Sequence, residues 1–213
     1  MSKFSKEWEG TGRKGIRSII KPQQPLRSRL ELVVRRIETQ AQAIDGAINR
    51  FNERDRTIFS KVVDAYVSHD TKRANAYANE LAEIRKMASF LMGAKLALER
   101  VVLRLSTVSQ LGNVVTTLAP AIKVLQGVRT GISGILPNAE QELGAVAQLL
   151  DEIMIEAGTT TGVGFDVETV SEDAAKILNE AAIVAEQRMK GVLPEPALKA
   201  SAEVAEQTEY RSP

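Results

Sequence analysis

Apolar residues recur along the first half of the chain in steps of three and four. Leu26, Leu30, Val33, Ile37, Ala41, Ile44, Ile48, Phe51, Ile58 and Val62 form one such run, broken only at Asp55. This is the seam of an amphipathic helix, not the alternation of a strand. It predicts a first helix from Pro25 or Leu26, where Pro suits the opening turn, to Tyr66 or Val67. That helix has roughly 40 residues and is about 60 Å long. Ser68-His69-Asp70-Thr71 interrupts the pattern, and Asp70 or Thr71 fits the N-cap of a second helix. There the same steps continue through Ala74, Ala78, Leu81, Ile84, Ala88, Leu91, Leu98, Val102 and Leu105, with Lys95 as a charged interruption.

Two long seams around a short turn predict an antiparallel helical hairpin. Folding at His69 pairs positions whose numbers sum to about 139. Ile58 then faces Leu81, Ile48 faces Leu91, and Ile37 faces Val102. Asp55 falls beside Ile84 and Arg85, so two interruptions of the seam can satisfy each other. Downstream, Gly112-Asn113 weakens the helix and a shorter one is predicted from about Pro120 to Ile135. Asn138 with Gln141 resembles a capping box opening a helix over Ala139 to Ala157. A Gly/Thr linker over Gly158 to Thr169 leads to a last helix, capped by Ser171 and running to about Lys190. Pro194 and Pro196 end regular structure. The fold class is therefore all-α: a long antiparallel hairpin with shorter C-terminal helices. The chain divides into a basic tail (1–25), a hairpin core with a third helix (26–136), acidic helices (137–190) and a Pro-containing tail (191–213).

Charge sharpens this division. Met1 to Arg36 holds ten Lys or Arg against three Glu, net +7, and Ile37 to Leu136 adds thirteen against nine, net +4. Pro137 to Pro213 holds five against fifteen, net −10. The overall +1 thus hides a charge dipole along the sequence. A basic half suits an acidic partner or an anionic membrane, and the acidic tail can compete for the same surface. Such a layout favours a protein that switches exposure over one that turns over a substrate.

Little supports catalysis. Cys is absent and His69 is the lone His, which excludes thiolate sites and makes a His-based cluster implausible. Gly10-Thr11-Gly12-Arg13-Lys14-Gly15 spells a dinucleotide fingerprint, but no strand precedes it. Gly162-Val163-Gly164 lacks the Lys of a phosphate loop. Glu140, Glu142, Asp151 and Glu152 read as a solvated helix face. No enzyme, cofactor or metal is expected. The N-terminus lacks the apolar core of a signal peptide, and no apolar run approaches the roughly 18 residues of a membrane span, so the expected location is the cytoplasm. Phe4 and Trp8 are four apart, on one helical face if the segment folds, beside Lys3 and Lys6, and Ile16, Ile19 and Ile20 lie among Arg13, Lys14, Arg17 and Lys21. Apolar anchors among cations suit an anionic membrane surface. The plain alternatives are an unstructured tail, or Trp8 docked on the protein's own bundle. Nucleic acid fits poorly, because stacking aromatics are sparse.

The long basic first helix, the small polar turn and Ala74…Ala78-Asn79-Glu80-Leu81…Ile84-Arg85-Lys86 resemble the core hairpin of ESCRT-III proteins. Ala97-Leu98-Glu99-Arg100-Val101…Arg104-Leu105-Ser106-Thr107-Val108 resembles the archaeal, CdvB-type cell-division branch, and the resemblance spans roughly Leu26 to Met189. It implies a five-helix, non-enzymatic subunit that polymerises with itself and paralogues on the inner face of the cell membrane at the division site. It also implies acidic C-terminal helices that fold back on the hairpin, with Ile177, Leu178 and Ile183 docked and Glu172, Asp173 and Glu180 near basic side chains. Arg27, Arg29, Arg35 and Arg36, with Ile58 and Leu81, would form the polymer or hairpin surface. Opening would join the second and third helices across Gly112 to Pro120, where a Pro in a helix interior costs about 3 kcal/mol. Val192-Leu193-Pro194-Glu195-Pro196-Ala197-Leu198 resembles a peptide that binds an AAA ATPase, through Leu193, Pro194, Pro196 and Leu198. By this resemblance the chain is expected to be one of the shorter subunits, without the winged-helix extension of the longest archaeal paralogue. A cytosolic helical scaffold or coiled-coil adaptor is the competing reading.

Overall fold

The computed structural model describes residues 25–111, 114–161 and 167–192 of the 213-residue chain. They form five helices: α1 (Leu26–Val67), α2 (Thr71–Leu111), α3 (Val114–Ile132), α4 (Pro137–Thr161) and α5 (Val167–Val192). No strand occurs among the described residues. α1 starts where the Pro25 carbonyl accepts the Arg29 N–H at 3.2 Å. Pro25 itself has no N–H to leave unsatisfied at that end.

The turn between α1 and α2 closes with two reciprocal bonds. The Asp70 N–H reaches back to the Ala65 carbonyl and the His69 N–H to the Tyr66 carbonyl, both at 3.0 Å. This pattern needs a left-handed residue, normally Gly, at its centre. His69 takes that role at φ 57°. Asp70 then caps α2, its Oδ1 accepting the Arg73 N–H at 3.0 Å. Three residues thus reverse the chain.

The hairpin register follows the seams. Leu26, Leu30, Val33, Ile37, Ala41, Ile44 and Ile48 of α1 pack with Leu91, Leu98, Val101 and Leu105 of α2 in a core to which α3, α4 and α5 also contribute. Beyond Phe51 the packing changes. Ile58, Val62, Leu81 and Ile84 form a separate small core, flanked by Phe51, Phe59, Tyr77 and Ala78. Every member belongs to α1 or α2, so the distal hairpin is an arm of two helices only. Between the two cores Asp55, 1% exposed, is the buried charge among the described residues. It accepts two bonds from Arg85, Nε to Oδ1 at 2.6 Å and Nη2 to Oδ2 at 3.4 Å.

The shorter helices pack at the base. α3 lies against α2, α4 bridges α3 and α1, and α5 crosses α2 and α3. Their ends differ from the sequence expectation. α3 begins at Val114 and holds Pro120 inside it instead of starting there. Pro120 lies in the second turn, where its ring costs one intrahelical bond and not the whole helix. α3 ends at Ile132, where the Ile135 and Leu136 N–H groups both return to its carbonyl and Gly134 takes φ 81°. α4 starts at Pro137, whose fixed φ suits a first helical residue, so Asn138 is within the first turn and not a cap. α4 runs on to Thr161 and α5 starts at Val167, so Ser171 is also internal.

Candidate functional site

The acidic C-terminal helices are seated on the hairpin, and this seat is the feature with functional content. α4 presents Leu143, Val146, Leu150 and Ile153 to the shared core. One turn apart on α4, Glu152 and Glu156 both receive Arg29 of α1, at 3.2 Å and 2.5 Å. The Arg29 side chain is only 14% exposed, so this clasp is less screened than a surface pair. The neighbouring Asp151 is half-buried, and burial pushes its carboxyl above the ordinary range.

α5 is held differently. Its buried stripe is Ala174, Ile177, Ala181, Ala185 and Met189, and the three alanines among them let the helix sit close. Gly93 of α2 lies beneath them: a Cβ at Gly93 would be 3.8 Å from both the Ala182 Cα and the Ala185 Cβ. At Gly127 of α3 a Cβ would come 3.3 Å from the Leu178 Cδ1. Where the three helices part, Phe90, Gly93, Gly127, Val128 and Leu178 line an apolar cleft of about 390 Å³. Arg100 of α2 donates to Glu180 of α5. Lys95 joins Asp45 across the hairpin and lies 3.9 Å from Glu99 on its own helix.

The sequence-derived candidates fall into three groups. Ile58 and Leu81 are buried in the distal hairpin core. Arg29 reaches α4, whereas Arg27 pairs with Glu31 one turn along α1, and Arg35 and Arg36 are exposed. Phe4, Trp8, Lys3, Lys6, Arg13, Lys14, Arg17 and Lys21 lie outside the described residues, as do Leu193, Pro194, Pro196 and Leu198 and both glycine motifs. Within α5, Ile177 is buried and Leu178 packs against the core, but Ile183 is 58% exposed. Two residues from Ala181 means about 200° around the helix, which turns Ile183 away from the seat. Glu180 meets a cation on α2, while Asp173 is 3.8 Å from Lys176 of its own helix and Glu172 is exposed.

Sequence reasoning missed the Arg29 clasp, the Gly93 seat and the Asp45–Lys95 pair. The last was within reach, because the offset that sets Asp55 beside Arg85 also sets Asp45 beside Lys95. Among the described residues no group of three His, Cys, Asp or Glu is placed to hold a metal. No described helix is long and apolar enough to cross a membrane.

No protein-family model and no solved structure matches the chain. Curated relatives do. Cell division protein B1 of Sulfolobus acidocaldarius is 42% identical over 191 residues, which cover 90% of this chain and 88% of that protein. Cell division protein B of the same organism is 34% identical over 160 residues, 75% of this chain and 61% of that protein. With five helices built on a long hairpin and relatives of this identity and coverage, the chain belongs to the CdvB-type, ESCRT-III-like family of cell division proteins.

Proposed function

We propose that this protein is a non-enzymatic subunit of an archaeal cell-division machinery, which forms filaments with itself and its paralogues on the cytoplasmic face of the membrane. In the conformation described here its acidic helices hold it closed. The names of its relatives support the division role. The closed state is supported by one observation above the others: α4 and α5 cover the base of a basic hairpin through Arg29 with Glu152 and Glu156, and Arg100 with Glu180. In this reading the N-terminal segment around Phe4 and Trp8 adds a membrane anchor, and Leu193 to Leu198 offers a peptide to an AAA ATPase that takes the filament apart.

The test must open the molecule without baring its core. Truncation after Leu136 would remove Leu143, Val146, Leu150 and Ile153 from the shared core and invite nonspecific aggregation. Gly93→Leu in the full chain is cleaner, because it displaces α5 and leaves the charge unchanged. The variant should form filaments, seen by negative stain, and sediment with anionic vesicles at lower protein concentration than the wild type. Equal behaviour with α5 demonstrably released, by faster proteolysis around Glu186, would rule out closure as inhibition. A chain that forms no filaments and ignores vesicles in both states would leave the cytosolic scaffold reading.

A further inference from the structure

Among the described residues, the end of the hairpin groups three exposed apolar side chains. Val63, Tyr66 and Val67 are 41%, 50% and 72% exposed. Their spacing of three and four puts them on one face of the last turns of α1. Arg56 is exposed two turns back on that face. Asp64 and Asp70 line a small cleft of about 200 Å³ at the tip, together with Lys61, Arg73 and Tyr77. Residues 56–73 hold Arg56, Lys61, Lys72 and Arg73 against those two acids, a local net charge of +2.

We propose that this tip inserts shallowly into an anionic lipid surface, with Val63, Tyr66 and Val67 entering the headgroup–acyl boundary and the exposed Arg56 and Lys72 meeting lipid phosphates. The proposal rests on the membrane association proposed above and adds a second contact to it. Three features favour lipid over protein. The patch has three side chains, far short of the roughly 800 Å² per partner that a specific protein interface needs. It sits at the end of a two-helix arm, a convex shape that a fluid surface accepts without complementarity. Its largest member is a Tyr, whose apolar ring and polar hydroxyl suit the membrane–water boundary. Cations beside apolar anchors complement anionic headgroups.

The full-length chain and its Val63→Ser/Tyr66→Ser/Val67→Ser variant would be titrated with vesicles of phosphatidylcholine and phosphatidylglycerol. The substituted positions are exposed, so helicity and melting should be unchanged. Vesicle affinity should fall on the order of tenfold. Because the chain has no Cys, Val67→Cys places a single environment-sensitive dye at the tip. Its emission should shift to the blue with these vesicles, be quenched by brominated lipid, and stay constant with rising protein concentration in their absence. Unchanged affinity of the triple variant while the wild type binds would overturn the tip proposal and leave the membrane reading standing. A blue shift that follows protein concentration without lipid would assign the tip to contact between copies instead. A wild type that binds no vesicles would overturn both readings.

Discussion

The Asp55–Arg85 pair offers the sharpest test of how the hairpin is specified. The Asp55 side chain is 2% exposed and that of Arg85 is 20% exposed, so the two are not equivalent. Arg85→Met keeps the packing length but leaves a carboxylate in a nearly dry site with no cation. Losing one partner of a buried pair costs about 3–5 kcal/mol. Asp55→Leu leaves a guanidinium that can still reach water, so its cost should be closer to the loss of charged hydrogen bonds, about 1.5–3 kcal/mol. The double variant, Asp55→Leu with Arg85→Met, replaces the pair by apolar groups and should lie within about 1 kcal/mol of the wild type or above it. The coupling from this cycle should therefore be about 3 kcal/mol or more. Urea unfolding followed by circular dichroism gives the global values. Hydrogen exchange at Ile58 and Leu81 gives the local ones, since the arm can open without the base. If Arg85→Met costs less than about 1 kcal/mol by both readouts, or the two single effects simply add, the pair is not an interlocking element of the register.

Other perturbations test particular backbone and burial arguments. His69→Gly should stabilise the protein, because Gly takes the left-handed turn position without the Cβ penalty; a gain of up to about 1 kcal/mol would raise Tm by roughly 2–4 °C. No gain would mean that unfolded-chain entropy cancels it. Gly93→Ala adds only ordinary contacts to α5 and removes a helix-interior Gly, so melting should rise by about 0.5–1 kcal/mol equivalent. A loss would show that the seat is tighter than its 3.8 Å spacing implies. Asp151 should make stability depend on pH in an uncommon direction for a carboxylate. Its folded form binds a proton more readily than the unfolded chain, so its contribution falls as pH rises from the ordinary Asp range through its raised value. Asp151→Asn should melt higher than the wild type at neutral pH, and the difference should vanish below the ordinary Asp range. A difference independent of pH would assign the effect to something other than ionisation.

Much of the hairpin is legible in the sequence. The three–four steps, the break at Asp55 and the turn at His69 set the register, and one register satisfies both seams at once. The left-handed conformation of His69 is less legible, because Gly or Asn would have been the usual sign. The third and fourth helices start ahead of Pro120 and Ala139, because Val114 and Leu118 already pack in the core before Pro120 and Pro137 itself serves as a first helical residue. The seat of α5 was only half visible. Periodicity finds large apolar residues, and this interface is built from Ala174, Ala181, Ala185 and Gly93, whose value lies in being small. The charge dipole pointed to acidic helices on a basic hairpin, but bulk charge cannot select Arg29 from among Arg27, Arg35 and Arg36. That selection follows from which face of α1 meets α4, a matter of three-dimensional packing.

The two-helix arm also has a mechanical consequence. Phe51 is the α1 residue that touches both cores, and from there to Val67 the arm extends about 24 Å. Nothing from α3, α4 or α5 braces its small core. Long helices bend gently at little cost, so the arm behaves as a cantilever fixed to a stiff base. A bend of about 10° near Phe51 would carry the tip roughly 4 Å sideways, a little less than the rise of one helical turn. The base, where side chains from five helices interlock, resists the same deformation. The molecule therefore combines a rigid end with a compliant one, and adapts its outline by elastic bending of two helices, without repacking the core that keeps it folded.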